Sequence, residues 1–285
     1  MTFTAAAIQM CSGVDPERNA AAMARLVRDA AGQGAIYVQT PEMTGMLQRD
    51  RAAAKALLRD ETNDVILRTG SELARELGIF MHVGSTAIAL DDGKLANRGY
   101  LFGPDGKILN RYDKIHMFDV DLDNGESWRE SAAYRPGSEA RVLSLPFAEM
   151  GFAICYDVRF PNLFRAQALA GAEVMTVPAA FTKQTGEAHW EILLRARAIE
   201  NGVFVIAAAQ AGHHEDGRET FGHSMIVDPW GRVLASAGPE GEAVILADID
   251  TAAVKSAHDK IPNLKNGRDF SIERVPGAVA GGVAA

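Results

Sequence analysis

Three ionisable side chains, Glu42, Lys114 and Cys155, come at or near the ends of segments with strand patterns. Ligand sites in layered α/β proteins collect at such strand ends. A cysteine nucleophile needs a base to take its proton, a donor to hold the developing oxyanion, and an acid to protonate the leaving group. Because Glu, Lys and Cys can fill all of these roles, the three residues are candidates for nucleophilic catalysis.

Cys155 ends the apolar strand pattern of residues 151–154 and opens a charged turn that closes at Pro161. A strand-to-helix turn is expected to expose the thiol, to favour its thiolate through the helix dipole, and to supply backbone N–H groups for an oxyanion. The alternative is a small apolar residue that closes the strand, since free cysteine is among the most buried residue types. This stretch alone leaves both interpretations open.

Histidine is the commoner base for a catalytic cysteine, and the chain contains seven histidines. Chemistry alone therefore keeps His116, His189 and His223 as candidate bases. Taken singly, Glu42 would be interpreted as a solvated loop residue and Lys114 as a surface lysine. The paired histidines 213–214 lack a convincing set of partner ligands, so no metal site is expected.

The chain has 285 residues, of which 47% are hydrophobic, which predicts a globular protein with a large core. A net charge of −8 argues against nucleic acid or an anionic membrane as a partner. Neither a signal peptide nor a membrane span is expected. Two cysteines, Cys11 and Cys155, are too few for a disulfide framework and are compatible with a reducing cytoplasm. We expect a cytoplasmic protein with Cys11 in its core.

Strand and helix patterns alternate along the chain, which predicts a layered α/β fold. Strands are predicted over 3–10, 35–39, 79–90, 174–180 and 203–210, helices over 16–29, 65–77, 163–170 and 189–201, hairpins over 95–114 and 224–237, and a long surface loop over 119–137. No repeat or linker divides the chain. We therefore predict one domain over residues 1–262, followed by a C-terminal arm over residues 263–285.

Three segments resemble, in order and separation, the signatures of the nitrilase superfamily of carbon–nitrogen hydrolases. They are residues 40–42 (Thr-Pro-Glu), 112–116 (Tyr-Asp-Lys-Ile-His) and 155–161 (Cys-Tyr-Asp-Val-Arg-Phe-Pro). Cys-Tyr-Asp is similar to the amidase branch, whereas nitrile-hydrolysing members usually carry Cys-Trp-Glu. The resemblance implies a four-layer α-β-β-α sandwich that assembles into a homodimer or higher homo-oligomer and needs no metal or organic cofactor.

The resemblance also implies roles for the candidate residues. Cys155 would form a thioester, and Glu42, its pKa raised by a dry pocket, would carry protons. Lys114 and the Tyr156 backbone N–H would stabilise the oxyanion. Glu130 resembles the second glutamate of the family, which lies beside the lysine.

Four residues are candidates for binding the substrate: Tyr156, Arg159, Phe181 and His189. Arg159 has the planar fork that suits a carboxylate, but pairing with Asp157 is an equally open alternative. Charged residues at helical spacing over 189–201 predict a salt-bridged helix or a subunit face, and the resemblance to the family favours the subunit face.

Segments 186–191, 194–200, 207–210 and 221–231 resemble amidases that hydrolyse deaminated glutathione, which implies release of 2-oxoglutarate and the dipeptide cysteinylglycine. An ω-amidase acting on 2-oxoglutaramate, which would release ammonia, or another small amide or carbamoyl hydrolase is the alternative. From a different class, a thiol redox sensor would oxidise Cys155 without hydrolysis. A nucleotide-binding module is disfavoured because no glycine-rich phosphate loop follows the first strand.

Overall fold

Two six-stranded sheets form the centre of the computed structural model, which describes residues 1–121, 125 and 127–275. The strands are β1 (Thr2–Gln9), β2 (Tyr37–Gln39), β3 (Phe80–Ala89), β4 (Leu95–Phe102), β5 (Ile108–Asp113), β6 (Asp119–Asp121), β7 (Ser127–Arg129), β8 (Val142–Ser144), β9 (Glu149–Phe152), β10 (Val174–Thr176), β11 (Phe204–Ala207), β12 (Ala211–His213), β13 (Glu219–Phe221), β14 (Met225–Val227), β15 (Val233–Ser236) and β16 (Ala243–Asp250). The helices are α1 (Pro16–Gly32), α2 (Arg51–Leu57), α3 (Val65–Leu77), α4 (Pro161–Leu169), α5 (Lys183–Asn201) and α6 (Ala252–Lys260), and short 3₁₀ helices cover Glu130–Ala132 and Cys155–Arg159.

Each sheet has parallel strands at its centre and antiparallel strands at its edges. The first sheet has the order β16-β1-β2-β3-β4-β5, and the second has the order β15-β14-β11-β10-β9-β8. The pairs β1–β2, β2–β3, β9–β10 and β10–β11 are parallel. The carboxyl ends of parallel neighbours meet at one edge, so the turn after β9, which begins with Cys155, lies beside the segment that follows β10.

The alternation of side chains along β1 shows how the layers stack. Ala5 and Ala7 are buried in one apolar cluster with residues of the second sheet and of α4 and α5. Ala6 and Ile8 are buried in a separate cluster with residues of α1 and α3. Because successive strand residues point to opposite faces, the first sheet lies between the second sheet and α1 and α3. The layers are helices, sheet, sheet, helices, which confirms the predicted four-layer sandwich.

Helix boundaries that carry clear capping signals confirm the predictions. The Asp15 carboxylate accepts the N–H groups of Glu17 and Arg18, and Pro16 occupies the first turn of α1. Helix α3 spans the predicted range and ends at Gly78, which adopts a φ of 66°. That left-handed conformation suits glycine, since it has no Cβ.

Several elements differ from the predictions. Helix α5 begins at Lys183, six residues before the predicted start, with Thr182 at the N-cap position and Gly186 inside the helix. A Cβ at Gly186 would lie 2.3 Å from Phe221, so the glycine that weakened the helical pattern is needed for close packing on β13. The predicted loop over 119–137 contains the β6–β7 hairpin and the 3₁₀ helix Glu130–Ala132. Residues 122–124 and 126 of that loop lie outside the described residues.

Two further expectations concern single features of the surface. Cys11 is exposed, so its expected place in the core is wrong. Its thiol lies 3.4 Å from the carbonyl oxygen of His213.

Within residues 263–275, the described part of the predicted arm, no helix or strand forms. Of the helices that the structure describes, none combines the length and the apolar character that crossing a membrane requires.

Candidate active site

The turn that carries Cys155 has an unusual backbone conformation. Cys155 adopts a φ of 48° at the start of its 3₁₀ helix, a region that side chains other than glycine rarely occupy. Its N–H donates to the Pro178 carbonyl at 2.9 Å, and the Asp157 carboxylate accepts the Ile154 N–H at 2.9 Å. These bonds from both sides hold the strained position of the thiol.

Asp157 joins this turn to the end of β5. Its fully buried carboxylate accepts the Tyr112 hydroxyl at 2.8 Å and both the backbone N–H and the ring Nδ1 of His116, at 3.0 and 2.7 Å. Asp157 therefore fixes the segment 112–116, and Lys114 with it, relative to Cys155. The alternative pairing of Arg159 with Asp157 does not occur.

The four predicted catalytic residues lie together. Lys114 Nζ is 2.9 Å from Glu42 Oε1 and 2.9 Å from Glu130 Oε2, and it is almost completely buried. Glu42 Oε2 also accepts the Ala180 N–H at 2.8 Å, after β10. Cys155 lies near enough to Glu42 for the carboxylate to raise the pKa of the thiol, and both residues line the same cavity. Strand ends from both sheets thus converge on one buried cluster.

Asn97 is a member of this cluster that the sequence did not reveal. Its Nδ2 donates to Glu42 Oε1 at 2.9 Å and to Glu130 Oε1 at 3.0 Å. The backbone carbonyl of Asn97 accepts the backbone N–H of Lys114 at 3.0 Å. Two carboxylate acceptors fix the orientation of the amide, which leaves its Oδ1 buried without a partner. The only available signal was a polar residue within a strand pattern, which many surface strands also have.

Charge interactions in the cluster decide which groups are ionised. Burial opposes the charge of Lys114, but Glu130 and Glu42 raise its pKa well above its usual value. Burial alone would raise the pKa of Glu42, yet Lys114 and hydrogen bonds from Cys155 and Asn97 bring it below the ordinary glutamate value. The expectation of a raised Glu42 pKa is therefore wrong, because the cluster supplies a buried cation.

The thiol behaves differently from the expected dipole-stabilised thiolate. Burial, followed by the charge of Glu42, raises the pKa of Cys155 well above its usual value, and the opposing effect of Lys114 is smaller. At neutral pH, the Cys155 thiol is therefore protonated and the Glu42 carboxylate is ionised. A thiol and a carboxylate base at the same site can react by proton transfer as the sulfur attacks.

The three candidate histidine bases are engaged elsewhere. His116 binds Asp157 and stacks on Phe160, with ring centres 3.5 Å apart. His189 is exposed, and a ring nitrogen of His223 lies 2.8 Å from the Phe221 carbonyl. Within the described part of the chain, none of them hydrogen-bonds to Cys155. The ionisable group that raises the pKa of the thiol most is the Glu42 carboxylate.

A cavity of about 1130 Å³ opens on this cluster and is lined by Glu42, Lys114, Glu130 and Cys155. Tyr156 and Phe181 also line it, whereas Arg159 and His189 do not. The Arg159 guanidinium lies 5.2 Å from the centre of the Phe181 ring and contacts His189 Nδ1 at 3.3 Å. The four predicted substrate-binding residues are therefore neighbours, but only two of them reach the cavity. Among the described residues, no group of three or more His, Cys, Asp or Glu side chains could hold a metal ion.

Residues 4–259 match the family model described as carbon-nitrogen hydrolase. The chain belongs to the carbon-nitrogen hydrolase family. It is 39% identical over 269 residues to the deaminated glutathione amidase of Yersinia enterocolitica, covering 93% of each chain. It is 37% identical over 271 residues to mouse omega-amidase NIT2, covering 94% of this chain and 95% of that protein.

A solved structure shows the same fold. The NitFhit protein of Caenorhabditis elegans superposes with a TM-score of 0.86 at 32% identity. The match covers 94% of this chain and 65% of that one.

Proposed function

We propose that this chain is an amidase that hydrolyses deaminated glutathione to 2-oxoglutarate and cysteinylglycine through a thioester on Cys155. The observation that carries the proposal is that buried Cys155 and an ionised Glu42, which Lys114 holds at 2.9 Å, line the same large cavity. The similarity to deaminated glutathione amidases supports the choice of substrate.

In the first half of the reaction, Glu42 takes the thiol proton while Cys155 attacks the amide carbonyl. Lys114 and the backbone N–H of Tyr156, the second residue of its 3₁₀ helix, stabilise the oxyanion. A good oxyanion donor contributes roughly 3 kcal/mol. Collapse of the tetrahedral intermediate breaks the C–N bond, and Glu42 gives its proton to the leaving peptide amine.

In the second half, water cleaves the thioester. Glu42 takes one water proton as the hydroxide adds to the acyl carbon, and it returns that proton to the departing sulfur. Glu130 also holds Lys114, through contacts of 2.9 and 3.1 Å. The enzyme thereby returns to its starting protonation state with no net gain or loss of protons by the cluster.

The test is release of 2-oxoglutarate by the native protein from deaminated glutathione and 2-oxoglutaramate, measured side by side. We expect deaminated glutathione to have the larger kcat/KM by at least about tenfold, because substrates are discriminated by that ratio. A preference for 2-oxoglutaramate would instead establish the ω-amidase alternative, which the 37% identity to mouse omega-amidase NIT2 supports. Absence of turnover for both would refute the substrate assignment.

Tyr156 and Phe181, which line the cavity, are proposed to contact the substrate directly. Arg159 stacks on both rings, with its guanidinium 5.9 and 5.2 Å from their centres, and His189 contacts it from outside. Within the described residues, Arg159 has no carboxylate partner. We propose that it attracts a substrate carboxylate and that His189 supports its position.

A homo-oligomer is also proposed, assembled through an apolar surface formed by Ile192, Ile199 and Trp230. Their exposed fractions are 70%, 52% and 51%. Arg195 Nε donates to the Gly231 carbonyl at 2.8 Å, which fixes the Trp230 turn against α5. A contiguous exposed apolar patch rimmed by charged residues is typical of an interaction site, and Glu191 pairs with Arg195 beside it.

Replacing Ile192 by glutamate is expected to shift the protein toward monomers, because a charge in a dimer interface is desolvated without a partner. Light scattering after size-exclusion chromatography measures the mass of the native and variant proteins. Ile36→Glu, at an apolar residue 41% exposed, is the control and should keep the native mass. A native protein that is monomeric at micromolar concentration would contradict the proposal.

We further propose that residues 1–262 form the catalytic domain, that residues 263–285 form an arm, and that the protein acts in the cytoplasm on a small amide. The family match ends at residue 259, which supports this division. The net charge of −8 supports a small-molecule substrate and argues against nucleic acid or an anionic membrane as a partner.

A further inference from the structure

We propose that Arg218, stacked on the Trp128 indole, binds the carboxylate of the leaving peptide and so selects substrates that are charged at both ends. The inference rests on the proposed amidase function and deepens it, since it assigns a second recognition point remote from the scissile bond. Nothing in the signatures around Glu42, Lys114 and Cys155 concerns this residue.

Arg218 is held in place before any ligand binds. It lies between β12 and β13, and its Nε donates to Asp216 Oδ2 at 2.8 Å. The Asp216 side chain is 1% exposed and the Arg218 side chain 17% exposed, so the pair is largely withdrawn from water. An arginine held through Nε has less side-chain freedom to lose on binding.

The remaining donors of Arg218 are available at the cavity. Within the described residues, its hydrogen bonds come from Nε and the backbone, and neither terminal nitrogen has an acceptor. Arg218 and Trp128 both line the cavity, and the guanidinium carbon lies 5.0 Å from the indole ring centre. Stacking covers a face of the guanidinium and leaves its N–H edge free for a carboxylate.

Tyr134 connects this position to the catalytic cluster. Burial raises the pKa of the Tyr134 phenol, as do the charges of Glu130 and Glu42, while Arg218 and Lys114 oppose them. One cavity-lining side chain thus lies within electrostatic reach of both the cluster and Arg218. Because Cys155, Tyr134 and Arg218 line one cavity, a substrate whose amide lies at Cys155 can extend toward Arg218.

The charge balance of the cavity fits a dianion. Among the described residues that line it, six side chains are cationic and three are carboxylates, although the whole chain carries a net charge of −8. Lys114 is already neutralised by Glu42 and Glu130, which leaves other cations to meet the substrate. The volume of about 1130 Å³ also exceeds the roughly 300–1,000 Å³ typical of small-molecule sites, so there is room for a peptide leaving group.

The decisive experiment changes the ligand first and the protein second. On the native enzyme, kcat/KM is compared for deaminated glutathione and for its analogue with the glycine carboxylate converted to a carboxamide. We expect a loss of about 10- to 100-fold for the carboxamide, mainly in KM, as for removal of a charge-assisted hydrogen bond. This arm does not depend on the folding of a variant.

The protein arm uses Arg218→Gln. In this variant, the acid and the carboxamide should be hydrolysed with similar kcat/KM. The kcat/KM for 2-oxoglutaramate, which has no carboxylate at its leaving group, should fall much less than the kcat/KM for deaminated glutathione. Arg232→Gln is a matched control, since Arg232 Nε binds Asp228 Oδ2 at 2.7 Å in another turn away from the cavity lining. It should retain the native preference for the acid.

Each outcome bears on the inference. Equal hydrolysis of acid and carboxamide by the native enzyme, or an undiminished preference for the acid in Arg218→Gln, would overturn the role of Arg218 while leaving the amidase function standing. Equal losses for all three substrates would show that Arg218 is only structural. If the native enzyme hydrolyses neither deaminated glutathione nor 2-oxoglutaramate, the proposed function itself fails, and the inference fails with it.

Discussion

Cys155→Ala is expected to lose at least about 10⁴-fold in kcat/KM toward amide substrates, which in practice means no detectable release of 2-oxoglutarate. The thioester cannot form without the sulfur, and the remaining oxyanion donors would have to act on direct attack by water. Cys155 is only 8% exposed but lines the cavity, so its removal affects the chemistry more than the packing.

The structure provides a matched control for this experiment in the second cysteine. Cys11 is exposed and lies outside the cavity lining, so Cys11→Ala should keep native turnover. Thermal unfolding of both variants checks that the fold is retained. Residual hydrolysis within about tenfold of the native rate in Cys155→Ala would exclude the covalent mechanism.

Mass spectrometry of the native enzyme gives an independent check of the same prediction. An acyl adduct on Cys155, trapped by rapid acid quenching during turnover, should have the mass of the oxo-acid portion of the substrate. The adduct should be absent in Cys155→Ala and present in Cys11→Ala. An adduct confined to Cys11 would contradict the assignment.

Positions at predicted strand ends indicated the grouping of Glu42, Lys114 and Cys155, and the resemblance to the family added Glu130. Asn97 was missed, because a polar residue on a strand becomes informative only when its neighbours in space are known. The role proposed for Arg218, between β12 and β13, also depends on neighbours in space. Arg159 was singled out from the turn after Cys155, yet the fold directs it against Phe181 and away from the cavity lining.

Protonation states were the least predictable property of the site. The prediction of a thiolate at Cys155 was based on the helix dipole alone. The prediction of a raised pKa for Glu42 was based on burial alone. In the structure, the Lys114 ammonium lies 2.9 Å from Glu42, and the carboxylate in turn acts on the thiol. Their balance depends on distances that only the tertiary structure supplies.

The fold was predictable where local signals were strong, as at α1 and α3, and less so where pairing partners are distant in the sequence. Strand β16 was not predicted, yet it pairs antiparallel with β1 along Thr2–Gln9 and completes the first sheet. Its residues are mostly half-buried, so their burial pattern is a weak signal. Helix α5 was shortened in the prediction because the glycine required by Phe221 resembles a helix breaker.

Glu42→Gln is expected to lower kcat/KM at pH 7 by about 10³-fold or more, because it removes the general base and acid of both half-reactions. Glutamine is similar in shape and can still accept one of the bonds now made by Lys114, Asn97 and Ala180. The loss should therefore appear in kcat more than in KM. Glu76→Gln, at an exposed carboxylate paired with Arg28, is a control and should be nearly silent.

The pH profile distinguishes a lost proton carrier from a distorted site. In the native enzyme, the lowered pKa keeps Glu42 ionised as the pH falls, so the acid limb of kcat/KM should lie below the ordinary glutamate value of 4.5. The raised pKa of Cys155 means that no increase from free thiolate should appear near its ordinary value of 9.0. Native activity should thus be flat across the neutral range with respect to these groups.

In Glu42→Gln, the small remaining activity should instead rise about tenfold per pH unit, because the thiol must then lose its proton to hydroxide. A distorted but otherwise competent site would keep the flat native profile at a lower level. The variant also tests the redox-sensor alternative, since oxidation of Cys155 by peroxide does not require a proton carrier to a leaving group. Loss of hydrolysis with retained peroxide oxidation would separate the two chemistries, whereas native hydrolysis rates in Glu42→Gln would refute the role of Glu42 as the base.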